Sequence, residues 1–117
     1  MPHLMVEYSE NLKPKLDPNQ LLKKLHYSLK TVPGINMDRV KSRIFSSEAV
    51  LSGEHASEIY MIHVILAILD GKEAEIKKLY GETLFSELIT FTQLNSIQQI
   101  SLTVEVREME SFTYFKN

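Results

Sequence analysis

No cysteine occurs in the 117-residue chain. That absence excludes disulfides, thiolate metal sites and a cysteine nucleophile together, and it fits a reducing compartment. Glycine is scarce at four residues, and no glycine-rich phosphate loop or Gly-x-Ser-x-Gly elbow is present. Charge of one sign is also lacking: thirteen Lys/Arg against fifteen Asp/Glu leave a net charge of −2. There is no basic field to hold nucleic acid and no acidic tail. The longest apolar run, Ile59 to Leu69, spans 11 residues and is broken by His63. A membrane helix needs about 20. The first ten residues mix polar and apolar side chains rather than forming a leader. These absences predict a cytoplasmic protein with no membrane or nucleic-acid partner. The four histidines, His3, His26, His55 and His63, show no His-x-x-x-His metal spacing, so no metal site is expected.

What remains is an ordinary globular composition, 44% hydrophobic and 24% charged. The length suits one domain, with a core of modest size. His3 to Tyr8 alternates Leu4, Val6 and Tyr8 against His3, Met5 and Glu7, which is strand periodicity. Asp17, Pro18 and Gln20 then make a helix start: a cap, a proline where no N–H is needed, and a capping-box-like partner. Leu22, Leu25, Leu29 and Val32 follow at helical spacing, and Pro33-Gly34 stops the helix. Arg39 to Ile44 reads as a second strand. Phe45 to Ser57 reads as a hairpin or loop excursion. Ile59 to Leu69 is the most hydrophobic strand. Asp70-Gly71 turns the chain into a helix from near Lys72, with Ile76, Leu79, Tyr80, Thr83, Leu84, Leu88 and Phe91 on one face. A last strand alternates Ile100, Leu102, Val104 and Val106 against Ser101, Thr103, Glu105 and Arg107.

The order is β-α-β twice, with Lys-Lys-Leu at 23–25 and again at 77–79. It predicts a single domain over 1–117, with pseudo-repeats at about 2–46 and 58–109. The fold class is α/β (α+β): a two-layer sandwich of a four-stranded mixed sheet with two helices on one face. The strand at 59–69 is apolar on both faces, a pattern of sheets covered on both sides. Two helices cover only one. The other face is expected to pack against further copies of the chain, unless the 45–57 excursion or the C-terminal tail covers it.

Pro2 follows the initiator methionine, and a small second residue permits removal of Met1. The chain would then begin with a secondary amine. An ordinary α-amino group has a pKa of about 7.7–8.0. Burial and neighbouring cations lower it, and a neutral amine near pH 7 is a competent general base. Taken alone, Pro2 reads as an ordinary second residue.

The run Pro2-His3-Leu4-Met5-Val6-Glu7-Tyr8-Ser9-Glu10-Asn11-Leu12 resembles the opening of the 5-carboxymethyl-2-hydroxymuconate Δ-isomerases, a branch of the tautomerase superfamily. The resemblance continues at Val40-Lys41-Ser42-Arg43, Ile62-His63-Val64, Gly71-Lys72 and Gly81-Glu82-Thr83-Leu84-Phe85, and more loosely at Phe112 to Lys116. It implies the tautomerase-type fold, a homotrimer, no cofactor, and an amino-terminal proline acting as base. The implied reaction is a keto–enol or double-bond isomerisation of a small unsaturated carboxylate such as 5-carboxymethyl-2-hydroxymuconate, met in the breakdown of aromatic acids. On this chain the base is Pro2, and the family's cationic substrate-binding positions fall on Lys41, Arg43 and Lys72.

The residue types fit those roles. On a strand, Arg39, Lys41 and Arg43 share one face, a cationic row suited to a dicarboxylate and to an enolate. Arg39 joins the candidates on that ground and not through the resemblance. Lys72 lies at a helix start, where backbone N–H groups also favour an anion. Lysine stands at 41 and 72 where the family has arginine, which keeps the charge and loses the bidentate fork. Each cation, taken singly, also reads as a solvated surface residue. Two other functions fit the same chain: a tautomerase-fold protein with different chemistry on a small acid, such as hydration, and a non-catalytic trimeric binding protein.

Overall fold

The computed structural model describes residues 1–56 and 59–117. Its core elements are β1 (His3–Ser9), α1 (Pro18–Ser28), β2 (Lys41–Ser47), the short strands β3 (Leu51–Ser52) and β4 (His55–Ala56), β5 (Tyr60–Leu69), α2 (Ala74–Leu94) and β6 (Ile100–Met109). The main sheet runs β2-β1-β5-β6. β1 is parallel to β2, β5 is parallel to β6, and the two pairs join antiparallel through β1 and β5. This is the expected mixed four-stranded sheet. Each parallel pair needs a crossover, and α1 and α2 supply them.

Side-chain alternation divides the sheet. Leu4, Val6, Ile62, Val64, Leu66 and Ile68 point to the helix side and are all but inaccessible. There they meet Leu21, Leu25 and Leu29 of the first helical segment and Tyr80, Leu84 and Leu88 of α2. The helices therefore cover one face, as expected. Asp17 caps α1 by accepting from the amides of Asn19 (3.0 Å) and Gln20 (3.4 Å), so Gln20 meets the cap through its backbone. The helix tightens into a 3-10 turn over Leu29–Thr31 before Pro33. Leu21, with Leu25, is fully buried, and Leu22 packs at the core's margin. On α2, Leu79 is 39% exposed. It lies one residue, about 100°, away from buried Tyr80 and so falls off the buried stripe.

The opposite face carries Met5, Met61, Ile65 and Ala67 as a central apolar stripe. Polar rows flank it: Lys41–His3–Ala67–Arg107, Arg43–Met5–Ile65–Glu105 and Phe45–Glu7–His63–Thr103. His63 is hydrogen-bonded to Thr103 (2.6 Å) and Glu7 accepts from Ser47. The tail reaches this face at one point, where the Tyr114 hydroxyl meets His3. The excursion after Ile44 proves partly strand, because β2 runs on to Ser47, and it includes the β3–β4 pair. Ser57, and the residue at 58 that opens the second pseudo-repeat, lie outside the described residues. No helix is long and apolar enough to cross a membrane among them.

One expectation fails in a way that bears on the site. Arg39 is not on the second strand with Lys41 and Arg43. It ends a 3-10 turn, Met37–Arg39. Asn36 imposes this: its side chain accepts from the Asp38 amide (3.1 Å), and its carbonyl accepts from Arg39 N–H (3.0 Å). Local side-chain capping overrides the alternation of the sequence.

Candidate active site

Sheet topology brings three segments to one corner. β1 and β2 are parallel, so the segment entering β2 lies beside the start of β1. β5 is antiparallel to β1, so its end reaches the same corner, with His3 opposite both Lys41 and Ala67. Pro2 is fixed there because its carbonyl accepts from Lys41 N–H at 2.9 Å. Around it opens a cavity of about 370 Å³, within the range of small-ligand pockets. Its walls include Met1 and Pro2, then Gly34–Asn36 and Arg39, then Ile68–Lys72 and Tyr80. Gly34 and Gly71 both have positive φ, +84° and +102°. Each turns its loop where an L side chain is strained. A Cβ on Gly34 would stand 3.9 Å from the Lys72 ammonium, so Lys72 reaches over that turn.

The structure thus gathers Pro2, Lys72 and Arg39 in one cavity. Arg39 arrives by the 3-10 turn and not by the strand face from which it was read. Lys41 and Arg43 do not line this cavity. They stand exposed on the uncovered face of β2.

The electrostatics favour an uncharged amine. The amino group on Met1 is held below the ordinary value, first by burial and then by the cations Lys116, Arg39 and Lys72. Lys116 comes from the C-terminal tail. That tail is tied down at its start, where Asp70 N–H donates to the Met109 carbonyl (3.0 Å) and the Asp70 carboxylate accepts from Ser111 N–H (3.3 Å).

His3, next in sequence to Pro2, lies on the open face. Its Nδ1 lies 3.3 Å from an Arg43 guanidinium nitrogen, and its Nε2 lies 2.7 Å from the Tyr114 hydroxyl. Guanidinium only donates, so Nδ1 accepts and the ring proton sits on Nε2. The imidazole is neutral in this arrangement. Burial lowers its pKa, and the Arg43 charge, the amino terminus and Lys41 add to that.

The residues missed in the sequence are Tyr80, Asp70, Asn36, Tyr114 and Lys116. Tyr80 looked like one more member of an apolar helical stripe. The signal that sets it apart is a hydroxyl among leucines. A larger groove of about 820 Å³ lies between the outer sides of α1 and α2, lined by Lys23, Lys24, Tyr27, Glu82 and Glu87 among others. It holds none of the candidate residues. Among the described residues, no group of three or more histidines and carboxylates could hold a metal ion.

A β-α-β repeat with Pro2 in a cationic corner pocket places the chain in the tautomerase superfamily, and solved structures share that fold. One described as a fused 4-OT wild-type symmetric trimer matches with a TM-score of 0.66 at 16% identity, covering 97% of this chain and 90% of its own. The 5-carboxymethyl-2-hydroxymuconate isomerase family model matches residues 2–117, and the chain belongs to that family. It is 26% identical over 117 residues to the 5-carboxymethyl-2-hydroxymuconate Delta-isomerase of Escherichia coli, covering 99% of this chain and 93% of the relative. A 5-carboxymethyl-2-hydroxymuconate isomerase from Deinococcus radiodurans R1 superposes with a TM-score of 0.85 at 28% identity, covering 99% of this chain and 88% of that one. The chain is accordingly an isomerase of this superfamily.

Proposed function

We propose that the protein is a cofactor-free, cytoplasmic isomerase of unsaturated 2-hydroxy/2-oxo carboxylates, with Pro2 as its base once Met1 is removed. The substrate class is that of 5-carboxymethyl-2-hydroxymuconate, the compound that names its relatives, and the setting is the breakdown of aromatic acids. The observation that carries this reading is the convergence of Pro2 with Lys72 and Arg39 on one cavity, in a member of an isomerase family. Neutral Pro2 nitrogen takes the proton of the substrate's 2-hydroxyl. Negative charge spreads along the conjugated chain to its far carbon. The protonated proline returns the proton to that carbon, and a 2-oxo acid leaves. No atom is gained or lost. Lys72 and Arg39 hold carboxylates and disfavour the protonated amine, which keeps the base available near neutrality.

Lys41 and Arg43 take a different place in this reading. We infer a homotrimer of single-domain subunits, each built from the two pseudo-repeats, and the likeness to a symmetric trimer supports it. The half-buried apolar stripe on the uncovered sheet face is the surface that further copies would cover. Lys41 and Arg43 lie on that face, so they reach substrate at an adjoining subunit's cavity. The test is Pro2→Ala in protein whose loss of Met1 has been verified by intact mass. The variant should keep its fold and lose most of its turnover of 5-carboxymethyl-2-hydroxymuconate. Equal rates in both proteins would remove Pro2 from the mechanism.

A further inference from the structure

Three polar side chains in the cavity wall, Asn36, Asp70 and Tyr80, are not used by the reaction above. Asn36 accepts from the Asp38 amide and Asp70 from the Ser111 amide, which leaves Tyr80. Tyr80 lies in the second turn of α2, on the stripe it shares with Leu84 and Leu88. It is only 1% exposed, yet it forms part of the cavity wall. Its hydroxyl makes no hydrogen bond to another described residue. No buried side-chain polar atom among the described residues is sealed in without a partner. Both statements hold together only if the hydroxyl is the part of the side chain left open, and the cavity is where it opens. A phenylalanine would fill the same core space. The hydroxyl therefore adds nothing to packing, and it is open to whatever enters the cavity.

We propose that Tyr80 is a catalytic residue, the hydrogen-bond donor to the substrate's 2-oxygen. The inference rests on the isomerase reading of the cavity. Lys72 and Arg39 are exposed cations, suited to carboxylates that carry full charge before and after the reaction. The 2-oxygen differs, because it is neutral as hydroxyl and as ketone and anionic only in between. A neutral donor in the wall adds little to ground-state binding and most to that intermediate. Burial raises the Tyr80 phenol's pKa, so it keeps its proton and remains a donor beside the base.

The test uses full-length protein freed of Met1, wild type and Tyr80→Phe, which keeps the ring. With 5-carboxymethyl-2-hydroxymuconate, the variant should lose kcat about a hundredfold while KM stays within about threefold. An unchanged kcat, or a loss confined to KM, overturns the proposal. A second measurement does not need turnover. Calorimetry compares 2-oxoadipate with adipate, two diacids that differ at the 2-position. Wild type should prefer 2-oxoadipate by no more than about threefold, as a contact that strengthens chiefly in the intermediate requires, and Tyr80→Phe should erase that small preference. If wild type shows no preference, or the variant keeps it, Tyr80 is not the donor. A preference that the variant loses, in a wild type without isomerase activity, would sink the isomerase reading and leave Tyr80's contact standing.

Discussion

Replacing Lys72 with glutamine removes one charge from the cavity and keeps most of the side chain's reach. Lys72 extends over the Gly34 turn and is exposed in the free protein. An exposed ion pair is worth about 0.2–1 kcal/mol, and a charged hydrogen bond in a drier setting about 1.5–3 kcal/mol. A substrate filling the cavity puts Lys72 between these limits. A loss near 1.4 kcal/mol corresponds to about tenfold in kcat/KM. The same substitution acts on the base. A neighbouring cation disfavours the protonated amine and lowers its pKa, so removing Lys72 raises it. The acid limb of the kcat/KM profile, which reports deprotonation of the base, then moves to higher pH. Arg39 lines the same cavity, so Arg39→Gln should move that limb in the same direction. Lys72→Arg keeps the charge and should leave the limb in place. Steady-state kinetics across a pH series reads both effects. A Lys72→Gln enzyme with kcat/KM within about twofold of wild type and an unmoved acid limb would refute the reasoning.

Other expectations concern the scaffold. Asp17→Ala removes the acceptor for two amides at the start of α1 and should lower stability by about 1 kcal/mol, read as a shift in the urea midpoint with unchanged slope. Leu88→Ala empties a fully buried position between α2 and the sheet and should cost about 2–5 kcal/mol by the same assay. His3 is neutral in the folded protein and its pKa is lowered there, chiefly by burial and then by Arg43. As pH falls through the unfolded value near 6.5, the unfolded chain takes up the proton first. Stability contributed by neutral His3 is therefore present above that pH and fades below it, down through the folded value. His3→Gln should flatten the stability–pH curve in that window, and an unchanged curve would show that the Arg43–His3–Tyr114 contact does not persist in solution.

Much of the fold was legible because its signals are local. The alternation of Leu4, Val6 and Tyr8 marks β1, and that of Ile100, Leu102, Val104 and Val106 marks β6. The Asp17 cap and the Pro33-Gly34 stop bracket the first helical segment. The doubly apolar strand at 59–69 announced a central strand with one face left over. Arg39 was misplaced because Arg-Val-Lys-Ser-Arg alternates like a strand, while the Asn36 cap that bends it lies outside that pattern. The correction moves Arg39 off the face of Lys41 and Arg43 and into the cavity with Pro2 and Lys72. Tyr80 was legible as a core position but not as a functional one, because a helical stripe reports burial and says nothing of where a hydroxyl opens. Lys116 and Tyr114 reach the site only through the path of the tail, which no periodicity encodes.

The central claim is that this chain's own amino terminus is an uncharged base at neutral pH. It is tested by titrating the 15N-labelled Pro2 nitrogen by NMR in protein whose mass shows that Met1 is gone. The account predicts a pKa below the ordinary α-amino range of about 7.7–8.0, coincident with the acid limb of the kcat/KM profile. A Pro2 nitrogen titrating within or above that range, or full isomerase activity in protein that retains Met1, would contradict it.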